Sequence, residues 1–364
     1  MSSDEAMPGG AYGADTDIVD FILGITFEIW ERRGVDLIHR YYAPDVEVFS
    51  LEGRIRGAQA MVDGTRATLR AFPDRLLLGD NVVWSGEGAG GFYSSHRITS
   101  PMTNLGPSVF GPATGKRVLI TNIADCVVEG GVITREWLMR DNLSLVRQLG
   151  IDESEVARRL ASSLDAGSRE WLRGETLRVR GAQVDSSREA RSGRSAGKRT
   201  AVHGPIVTAG PALTPAAQSD AAGDDREFEP EVFAALLISG LWQDGEGDAP
   251  ECFYAPYAVL HRSPIERYSG REAVLGHYAE LKRAFGNPLV SLDHVACQPF
   301  GSNGWDVAAR WTLAGEHAGA FAGAAATGKP VLVLGASHWR IAAARIAAEW
   351  TLFDQLAVLG QLLD

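Results

Sequence analysis

One stretch occurs twice in the chain, and this duplication constrains the fold more than any other feature. The first copy consists of Thr114-Gly115-Lys116, Glu136-Trp137 and Asp141, and the second consists of Thr327-Gly328-Lys329, Glu349-Trp350 and Asp354. The differences 327 − 114, 349 − 136 and 354 − 141 all equal 213. A constant shift over this span indicates one structural unit used twice. We therefore expect two domains of one fold with a separate segment between them.

The composition is typical of a globular chain with two cores. Hydrophobic residues make up 45% and charged residues 22% of the 364 residues, and the net charge is −11. Because acidic residues outnumber basic ones in both copies, we expect no nucleic-acid or membrane-surface partner. No run approaches about 18 apolar residues, which predicts neither a signal peptide nor a transmembrane helix. The three cysteines lack CxxC spacing, which favours a cytoplasmic location over a disulfide framework.

Helical and strand-like periods follow one another along the first copy. Apolar residues recur at helical spacing over 17–34, 35–42 and 58–72, and Asp17 is the predicted N-cap of the first helix. Strand-like runs occupy 46–49, 76–84, 90–100, 117–128 and 132–141, separated by turns rich in Gly or Pro. Helices followed by an antiparallel meander indicate an α+β fold in which the helices cover one face of the sheet.

The segment between the copies has a different character. We predict a first domain over residues 15–150, a second over 226–364, and a connection over 151–225. Residues 151–165 have the pattern of an amphipathic helix with Asp152 as its cap. The rest of the connection is rich in Ser, Gly, Ala, Pro and Arg without a clear period, which predicts a flexible linker.

Further motifs accompany the duplicated stretch. The first copy contains Tyr42-Ala43-Pro44-Asp45, Ala71-Phe72-Pro73-Asp74 and Gln148-Leu149-Gly150, and the second contains a glycine ladder at 315–323. With the Thr-Gly-Lys and Glu-Trp-x-x-x-Asp stretches, these motifs resemble the SnoaL-like polyketide cyclase family of the nuclear transport factor two superfamily. Each copy departs from the family pattern at its own point: Asn104 replaces the family histidine in the first, and Tyr257 replaces the Tyr-Ala-Pro-Asp aspartate in the second.

The resemblance carries expectations about architecture and assembly. It implies two cone-shaped α+β barrels in tandem, each a curved antiparallel sheet with covering helices around an interior pocket. Members of the family usually pair as dimers through their sheets. The resemblance therefore implies an intrachain pseudo-dimer of the two domains, and it leaves a homodimer open.

The resemblance also implies a chemistry. In cyclases of this family, the aspartate of the Glu-Trp-x-x-x-Asp stretch moves the proton that starts an intramolecular aldol closure, without a metal ion or other cofactor. That role falls to Asp141 and Asp354. Burial of a carboxylate beside an apolar cavity raises its pKa towards neutrality, as proton transfer from carbon requires. An N-cap role fits both aspartates equally well, because each stands between a strand and a short helix.

Histidine is the natural second group, to polarise a carbonyl or relay the proton. The second copy has His261, His277, His294, His317 and His338, whereas the first has His39 and His96. This asymmetry favours the second pocket as the active one. His338 precedes Asp354 on a predicted hairpin, and His317 falls on the family histidine. His96 is the corresponding candidate in the first copy.

Candidates for substrate binding are His261, the equivalent arginines Arg97 and Arg310, and the aromatic residues Tyr93, Trp84 and Trp311. An inward arginine would hold a carboxylate or an enolate, although a structural ion pair is the alternative. Aromatic residues at strand spacing would line a cavity, although they are also typical of an ordinary core.

Other chemistries have less support in the sequence. Thr-Gly-Lys lacks the GxxxxGK context of a phosphate loop, and HExxH, CxxC and GxSxG are absent from the sequence. We therefore predict a cofactor-independent cyclase or isomerase acting on a hydrophobic, oxygenated small molecule such as a polyketide. The alternatives are a non-catalytic binding protein, an epoxide hydrolase or dehydratase on the same fold, and a dimerisation scaffold.

Overall fold

The computed structural model describes Tyr12 and residues 16–87, 90–192, 228–243 and 249–363. These residues form two compact units that divide between Val156 and Ala157. The tandem α+β organisation expected from the repeat is confirmed. Among the described residues, no helix is long and apolar enough to cross a membrane.

The first unit begins with helices and continues as a sheet. Its elements are α1 (Ile18–Thr26), α2 (Ile38–Tyr41), β1 (Tyr42–Ser50), β2 (Gly53–Arg56), α3 (Ala58–Ala71), β3 (Leu78–Glu87), β4 (Gly91–Thr103), β5 (Arg117–Glu129), β6 (Val132–Arg140) and α4 (Asn142–Leu149), followed by α5 (Glu153–Ser163) across the boundary. Asp17 is the N-cap of α1, since its side chain accepts hydrogen bonds from the backbone N–H of Val19 and Asp20. The chain continues beyond α1 as a single π-helical turn.

The sheet of the first unit is mixed, whereas the sequence predicted a purely antiparallel sheet. Its strand order is β2-β1-β6-β5-β4-β3. Strands β3 to β6 form the predicted antiparallel meander, but β1 pairs with β6 in parallel. The parallel pair arises because α3 carries the chain to the far edge before the meander returns to β1. Strands β2 and β3 are the two edges, so the described sheet does not close into a barrel.

The second unit repeats this order. Its elements are α6 (Ala166–Ser192), α7 (Pro230–Trp242), β7 (Tyr254–Ser263), β8 (Glu266–Ser269), α8 (Arg271–Ala284), β9 (Leu289–Phe300), β10 (Gly304–Glu316), β11 (Pro330–Ala342), β12 (Arg345–Phe353) and α9 (Gln355–Leu363). Its sheet has the order β8-β7-β12-β11-β10-β9, again with one parallel pair, β7 with β12, and with open edges at β8 and β9.

Helix α6 lies where the composition predicts the start of a flexible linker. Asp165 begins it, because its side chain accepts a hydrogen bond from the backbone N–H of Ser168. Arg178 then holds the helix to the sheet through an ion pair of 3.0 Å with Asp293. The remaining predicted linker, 193–225, lies outside the described residues.

Candidate functional site

The first unit contains a cavity of about 660 Å³ between its helices and the inner face of its sheet. This volume falls within the range of roughly 300–1,000 Å³ that is usual for small-molecule sites. Most of the wall is apolar and comes from α1, α3 and the sheet, including Ile22, Ile25, Ile98 and Met102. A cavity of this size and lining suits a small, largely hydrophobic molecule.

Three polar side chains enter this cavity from three adjacent strands: His96 on β4, Asn122 on β5 and Glu136 on β6. Successive residues of a strand face opposite sides of its sheet, and these three take the inner side together with Ile98. All three residues are buried, with Glu136 only 5% exposed.

Several of their polar atoms have no hydrogen-bond partner within the described part of the chain. These atoms are Nε2 of His96, both amide atoms of Asn122 and Oε2 of Glu136. A buried polar group without a partner costs about 1–3 kcal/mol. Because three neighbouring residues of one cavity share this property, the arrangement is suited to a ligand that supplies the missing partners.

Glu136 is the carboxyl group whose proton affinity is set by this environment. Burial raises the pKa of Glu136 to about 7, against smaller lowering effects of the Arg140 charge and of a hydrogen bond with Tyr42. Burial also raises the pKa of the Tyr42 hydroxyl well above its usual value, so it stays protonated and can donate. Near neutral pH, Glu136 therefore takes up and releases a proton readily, as general acid–base catalysis requires.

The pKa of His96 is shifted in the opposite direction. Burial lowers its pKa to about 4, and the charge of the neighbouring Arg97 acts in the same direction. The imidazole is therefore neutral near pH 7, with one ring nitrogen as a donor and the other as an acceptor. A neutral imidazole of this kind can hydrogen-bond to a carbonyl or enolate oxygen without bringing a charge into the cavity.

Three arginines also line the cavity: Arg70, Arg75 and Arg140. Arg140 forms an ion pair of 2.9 Å with Glu52. Arg75 is buried, and its Nε donates to Ser100 at 3.0 Å. Its guanidinium lies over the Trp30 ring, 4.9 Å from the centroid. The cavity thus contains cationic groups in addition to Glu136.

The interior of the second unit is filled at the equivalent positions. With the shift of 213, Trp311 replaces Ile98, Tyr278 replaces Thr65 and Phe353 replaces Arg140. These three aromatic residues are buried, and together with Trp242 and Phe285 they form a network of ring contacts. The larger side chains therefore occupy the space that is open in the first unit.

The polar residues of the cavity are also replaced. Ala309 stands for His96, and Gly335 stands for Asn122. A Cβ atom at Gly335 would lie 2.3 Å from the Trp311 ring, so the indole requires the glycine. Glu349, the equivalent of Glu136, accepts a hydrogen bond of 2.6 Å from Tyr254. It also accepts hydrogen bonds from the Tyr278 and Thr351 hydroxyls.

The aspartates of the duplicated stretch lie at the ends of strands. Asp354 is 4% exposed, and its Oδ1 accepts from the backbone N–H of Ala357 at 3.0 Å, which is the bond of an N-cap. Asp141 occupies the same position before α4 and is buried, but it makes no capping bond through its side chain. Asp141 is not among the residues that line the first cavity.

His338 is placed on the other face of the second sheet. Its neighbours Ser337 and Trp339 face inward, since Ser337 accepts from the Trp311 indole and Trp339 contacts Phe233 of α7. His338 therefore faces outward. It is paired with Trp350, four residues before Asp354, which corresponds to roughly 13 Å along the strand. The structure does not bring His338 and Asp354 together.

His317 anchors a loop. Its Nδ1 accepts from the backbone N–H of Thr327 at 3.2 Å and lies 3.0 Å from the Thr327 hydroxyl. Burial lowers the pKa of His317. Asn104 anchors the equivalent loop of the first unit, since its Oδ1 accepts a hydrogen bond from the backbone N–H of Thr114 at 2.9 Å. The two different residues thus hold the Thr-Gly-Lys turn in the same way.

The predicted binding residues are distributed over both units. Arg97 lies 3.8 Å from Asp80 and Arg310 lies 3.9 Å from Asp293, which are equivalent ion pairs. Tyr93 donates a hydrogen bond to Asp125, and Trp84 packs on the core of the first unit. In the second unit, His261 stacks on Trp350 and Trp311 is part of the core. Of all the predicted site residues, His96 is the one that lines the first cavity.

Sequence reasoning did not select Glu136, Asn122 or Arg75. A signal for Glu136 was present, because 136, 138 and 140 alternate along one strand and so share a face. No comparable signal marks Arg75, which lies in a loop before β3. Within the described residues, no group of His, Cys, Asp and Glu side chains is arranged to hold a metal ion.

Comparison with known proteins agrees with this architecture. The profile of the SnoaL-like polyketide cyclase family matches residues 22–149 and again residues 234–362. None of the curated proteins matches the chain. Similar solved structures include TsrD from Streptomyces laurentii, at 22% identity over 37% of this chain and 98% of that one, with a TM-score of 0.33. They also include IdmH from Streptomyces antibioticus, at 21% identity over 36% of this chain and 98% of that one, with a TM-score of 0.32.

A SnoaL-like polyketide cyclase from Agrobacterium tumefaciens is similar at 18% identity, over 37% of this chain and 100% of that one, with a TM-score of 0.31. The two matched regions of the family profile together cover more than half of the chain. They coincide with the two sheets and their helices. The chain therefore belongs to the SnoaL-like polyketide cyclase family and contains that family's domain twice.

Proposed function

We propose that the cavity of the first unit binds a small, mostly apolar carbonyl compound, and that Glu136 moves a proton at a carbon beside the carbonyl group. The observation that supports this proposal is the buried Oε2 of Glu136, which has no partner within the described residues and borders the cavity. The pKa of about 7 supports it further, because a base of that strength is suited to proton transfer near neutrality.

The proposed reaction is an intramolecular aldol closure or a related isomerisation. The Glu136 carboxylate takes the proton from carbon, and the electron pair of the C–H bond moves to form an enolate. The amide N–H of Asn122 and the ring N–H of His96 stabilise the enolate oxygen by hydrogen bonds. The enolate carbon then attacks a second carbonyl group of the same molecule, forming a C–C bond. The new alkoxide receives the proton from Glu136, which restores the carboxylate.

The second unit has a structural role in this proposal. Its equivalent carboxyl group, Glu349, already accepts hydrogen bonds from three hydroxyl groups, and its interior is filled by aromatic side chains. An acid–base role of Asp354 remains a prediction, but His338, which was predicted to assist it, does not lie beside it. An acid–base role of Asp141 in the first unit also remains a prediction.

Proton exchange into a simple ketone tests the proposal directly. The probe is 2-tetralone dissolved in heavy water. When a base enolises this ketone, the acidic hydrogens on the carbons beside its carbonyl group are replaced by deuterium. NMR measures the rate. We expect the Glu136→Gln variant to lose about 100-fold or more of the protein-dependent exchange, because general-base catalysis contributes factors of roughly 10²–10⁴.

Glu349→Gln is the matched control, because it makes the same change at the equivalent buried position of the second unit. Wild-type exchange in Glu136→Gln would contradict the proposal. Loss of exchange in Asp354→Asn together with full exchange in Glu136→Gln would move the chemistry to the second unit. Binding of 2-tetralone without exchange in the wild-type protein would favour the non-catalytic binding function.

A further inference from the structure

Arg75 is a buried cation at the wall of the first cavity, and its charge has no carboxylate partner in the described part of the chain. It is 9% exposed. The ion pairs of this unit involve other arginines, such as Arg140 with Glu52. A buried charge without a counter-ion is costly, and most buried arginines are paired for this reason.

The position of the Arg75 guanidinium is well defined. Its Nε donates to the Ser100 hydroxyl, which in turn donates to the carbonyl oxygen of Leu76 at 2.8 Å. Its plane lies over the Trp30 ring. These contacts use Nε and one face of the group. The two terminal nitrogens make no hydrogen bond to described residues and remain available for an oxyanion.

Among the described residues, no carboxylate is paired with Arg75. Burial lowers the pKa of Arg75 to about 9, and the positive charge of Arg140, which also lines the cavity, acts in the same direction. Arg75 still carries its charge near neutral pH. Arg140 interacts electrostatically with both Glu136 and Arg75.

Two of the cavity's arginines have uncharged residues at the equivalent positions of the second unit. Pro288 occupies the position of Arg75 in the second unit, and Phe353 occupies that of Arg140. Both units have the same strand order in their sheets. The fold therefore does not require a cation at position 75.

The strand register separates Arg75 from Glu136. Glu136 pairs with Cys126, and Cys126 pairs with Ser94. Ser100, the partner of Arg75, lies six residues beyond Ser94 on β4, which corresponds to roughly 20 Å between the two backbone positions. The distance between the side-chain groups of Arg75 and Glu136 is shorter, because both side chains extend into the cavity. The cationic group and the proposed base thus lie towards opposite ends of the cavity.

We propose that the first cavity takes a substrate with a carboxylate group, which binds the two terminal nitrogens of Arg75 while the carbon to be deprotonated lies near Glu136. The planar guanidinium forms two parallel hydrogen bonds with a carboxylate, and such pairs fix orientation as well as charge. This inference rests on the proposed function for the site, and it adds the class of substrate, an elongated apolar carbonyl acid.

A pair of matched probes tests the inference. 2-Naphthoate and 2-naphthamide have the same ring system and nearly the same shape, and they differ in the charge of the substituent. Calorimetric titration at neutral pH measures both affinities. We expect the wild-type protein to bind 2-naphthoate at least tenfold more tightly than 2-naphthamide, and Arg75→Gln to remove that preference. Arg75→Lys should retain part of it, since a lysine keeps the charge without the paired geometry.

Arg56→Gln is the control, because Arg56 is an exposed arginine of the same unit paired with Glu47. Equal affinities for the two probes in the wild-type protein would overturn the inference, and so would a preference that persists in Arg75→Gln. If the preference for 2-naphthoate is lost in Arg140→Gln but kept in Arg75→Gln, the carboxylate binds Arg140, and the inference about Arg75 is overturned. If Arg75→Gln binds neither probe, the wild-type comparison and Arg75→Lys decide the outcome.

The outcome is separable from that of the proposed function. Exchange into 2-tetralone involves a neutral ketone and depends on Glu136, whereas the probe preference involves no proton transfer and depends on Arg75. Preserved naphthoate preference with no effect of Glu136→Gln on exchange would contradict the catalytic proposal alone. Loss of exchange in Glu136→Gln with no naphthoate preference would contradict the carboxylate proposal alone.

Discussion

The two units share one topology but have different interiors. In the first, Ile98 stands opposite Asn122 and a cavity remains above them. In the second, Trp311 stands opposite Gly335, and the indole covers the glycine. The backbone pairing is the same in both. The comparison shows that side-chain volume at a few inward positions decides whether this fold contains a binding cavity or a solid core.

The same comparison applies to the duplicated glutamate. Glu349 accepts hydrogen bonds from Tyr254, Tyr278 and Thr351, so its burial is offset by protein donors. In the first unit Tyr278 is replaced by Thr65, and one oxygen of Glu136 has no partner within the described residues. A carboxyl group that is satisfied internally stabilises its domain, whereas one that is left without a donor is available to a ligand.

The histidines illustrate why residue counts locate a site poorly. The second unit has more of them, but His317 anchors a loop and His261 stacks on Trp350. His277 stacks on Tyr268, and burial lowers its pKa to about 3. The first unit has fewer histidines, but His96 lines the cavity, as do Asn122 and Glu136.

Transfer of the second interior into the first should have the largest effect. The double variant Ile98→Trp with Asn122→Gly introduces the pair Trp311 and Gly335 at the equivalent positions. We expect binding of 2-naphthamide to fall by at least about 1,000-fold, or about 4 kcal/mol, because the indole would occupy the cavity. Calorimetric titration measures the affinity. The exposed substitution Leu105→Trp is the control, and unchanged affinity in the double variant would show that the cavity is not the binding site.

The pH dependence of the first unit should report Glu136. The folded pKa of about 7 lies above the value of roughly 4.3 in an unfolded chain, so the folded state holds this proton more tightly. The resulting stability is fully present below about pH 4 and is lost as the pH rises through 7, by about 4 kcal/mol in all. Urea unfolding at several pH values measures the loss.

Glu136→Gln should flatten that pH dependence, because the amide does not titrate. The groups around the Glu136 carboxyl that also carry charge or titrate are Arg140, Tyr42 and Cys126, and the burial that raises the pKa of Tyr42 and Cys126 keeps both protonated over this range. Exchange into 2-tetralone should rise with pH and reach half its maximum near pH 7. A rate independent of pH between 5 and 8.5, roughly the window around that pKa, would exclude Glu136 as the base.

The smallest effect concerns the two loop anchors. We expect His317→Ala and Asn104→Ala each to lower the free energy of unfolding by about 1–2 kcal/mol, since each removes an acceptor for the backbone N–H of the Thr-Gly-Lys turn. His317→Asn should lose less, because asparagine performs this role in the first unit. Urea unfolding measures all three. An equal loss in His317→Asn and His317→Ala would show that the two anchors are not equivalent.

Most of the secondary structure could be predicted from local patterns. The helical spacing over 58–72 corresponds to α3, and the last four of the five strand-like runs correspond to β3 to β6. The pairing of strands across the sheet was harder to predict from the sequence, because the parallel contact of β1 with β6 joins residues about ninety positions apart. Helix α6 was missed because its composition resembles a linker, and its stability comes from contacts such as Arg178 with Asp293.

The candidate site was predictable only in part. His96 and the Glu-Trp stretch were visible as motifs, but the sequence does not show that Glu136 faces a cavity. Arg75 carries no motif, and its significance comes from the missing carboxylate around it. Such properties depend on which side chains of distant segments meet, and a local pattern contains no information on those distances.

The sequence by itself determined that this protein is a tandem repeat of one α+β domain, because a constant shift of 213 preserves the same periodicities and turns in both copies. The tertiary structure decided that the duplicated Glu-Trp-x-x-x-Asp stretch has two different environments. Glu136 borders a cavity and Glu349 lies in a packed core. The physical reason is that a cavity is space left over by many side chains at once, so it exists only when residues as distant as Thr65, Ile98 and Arg140 are all too small or too polar to fill it.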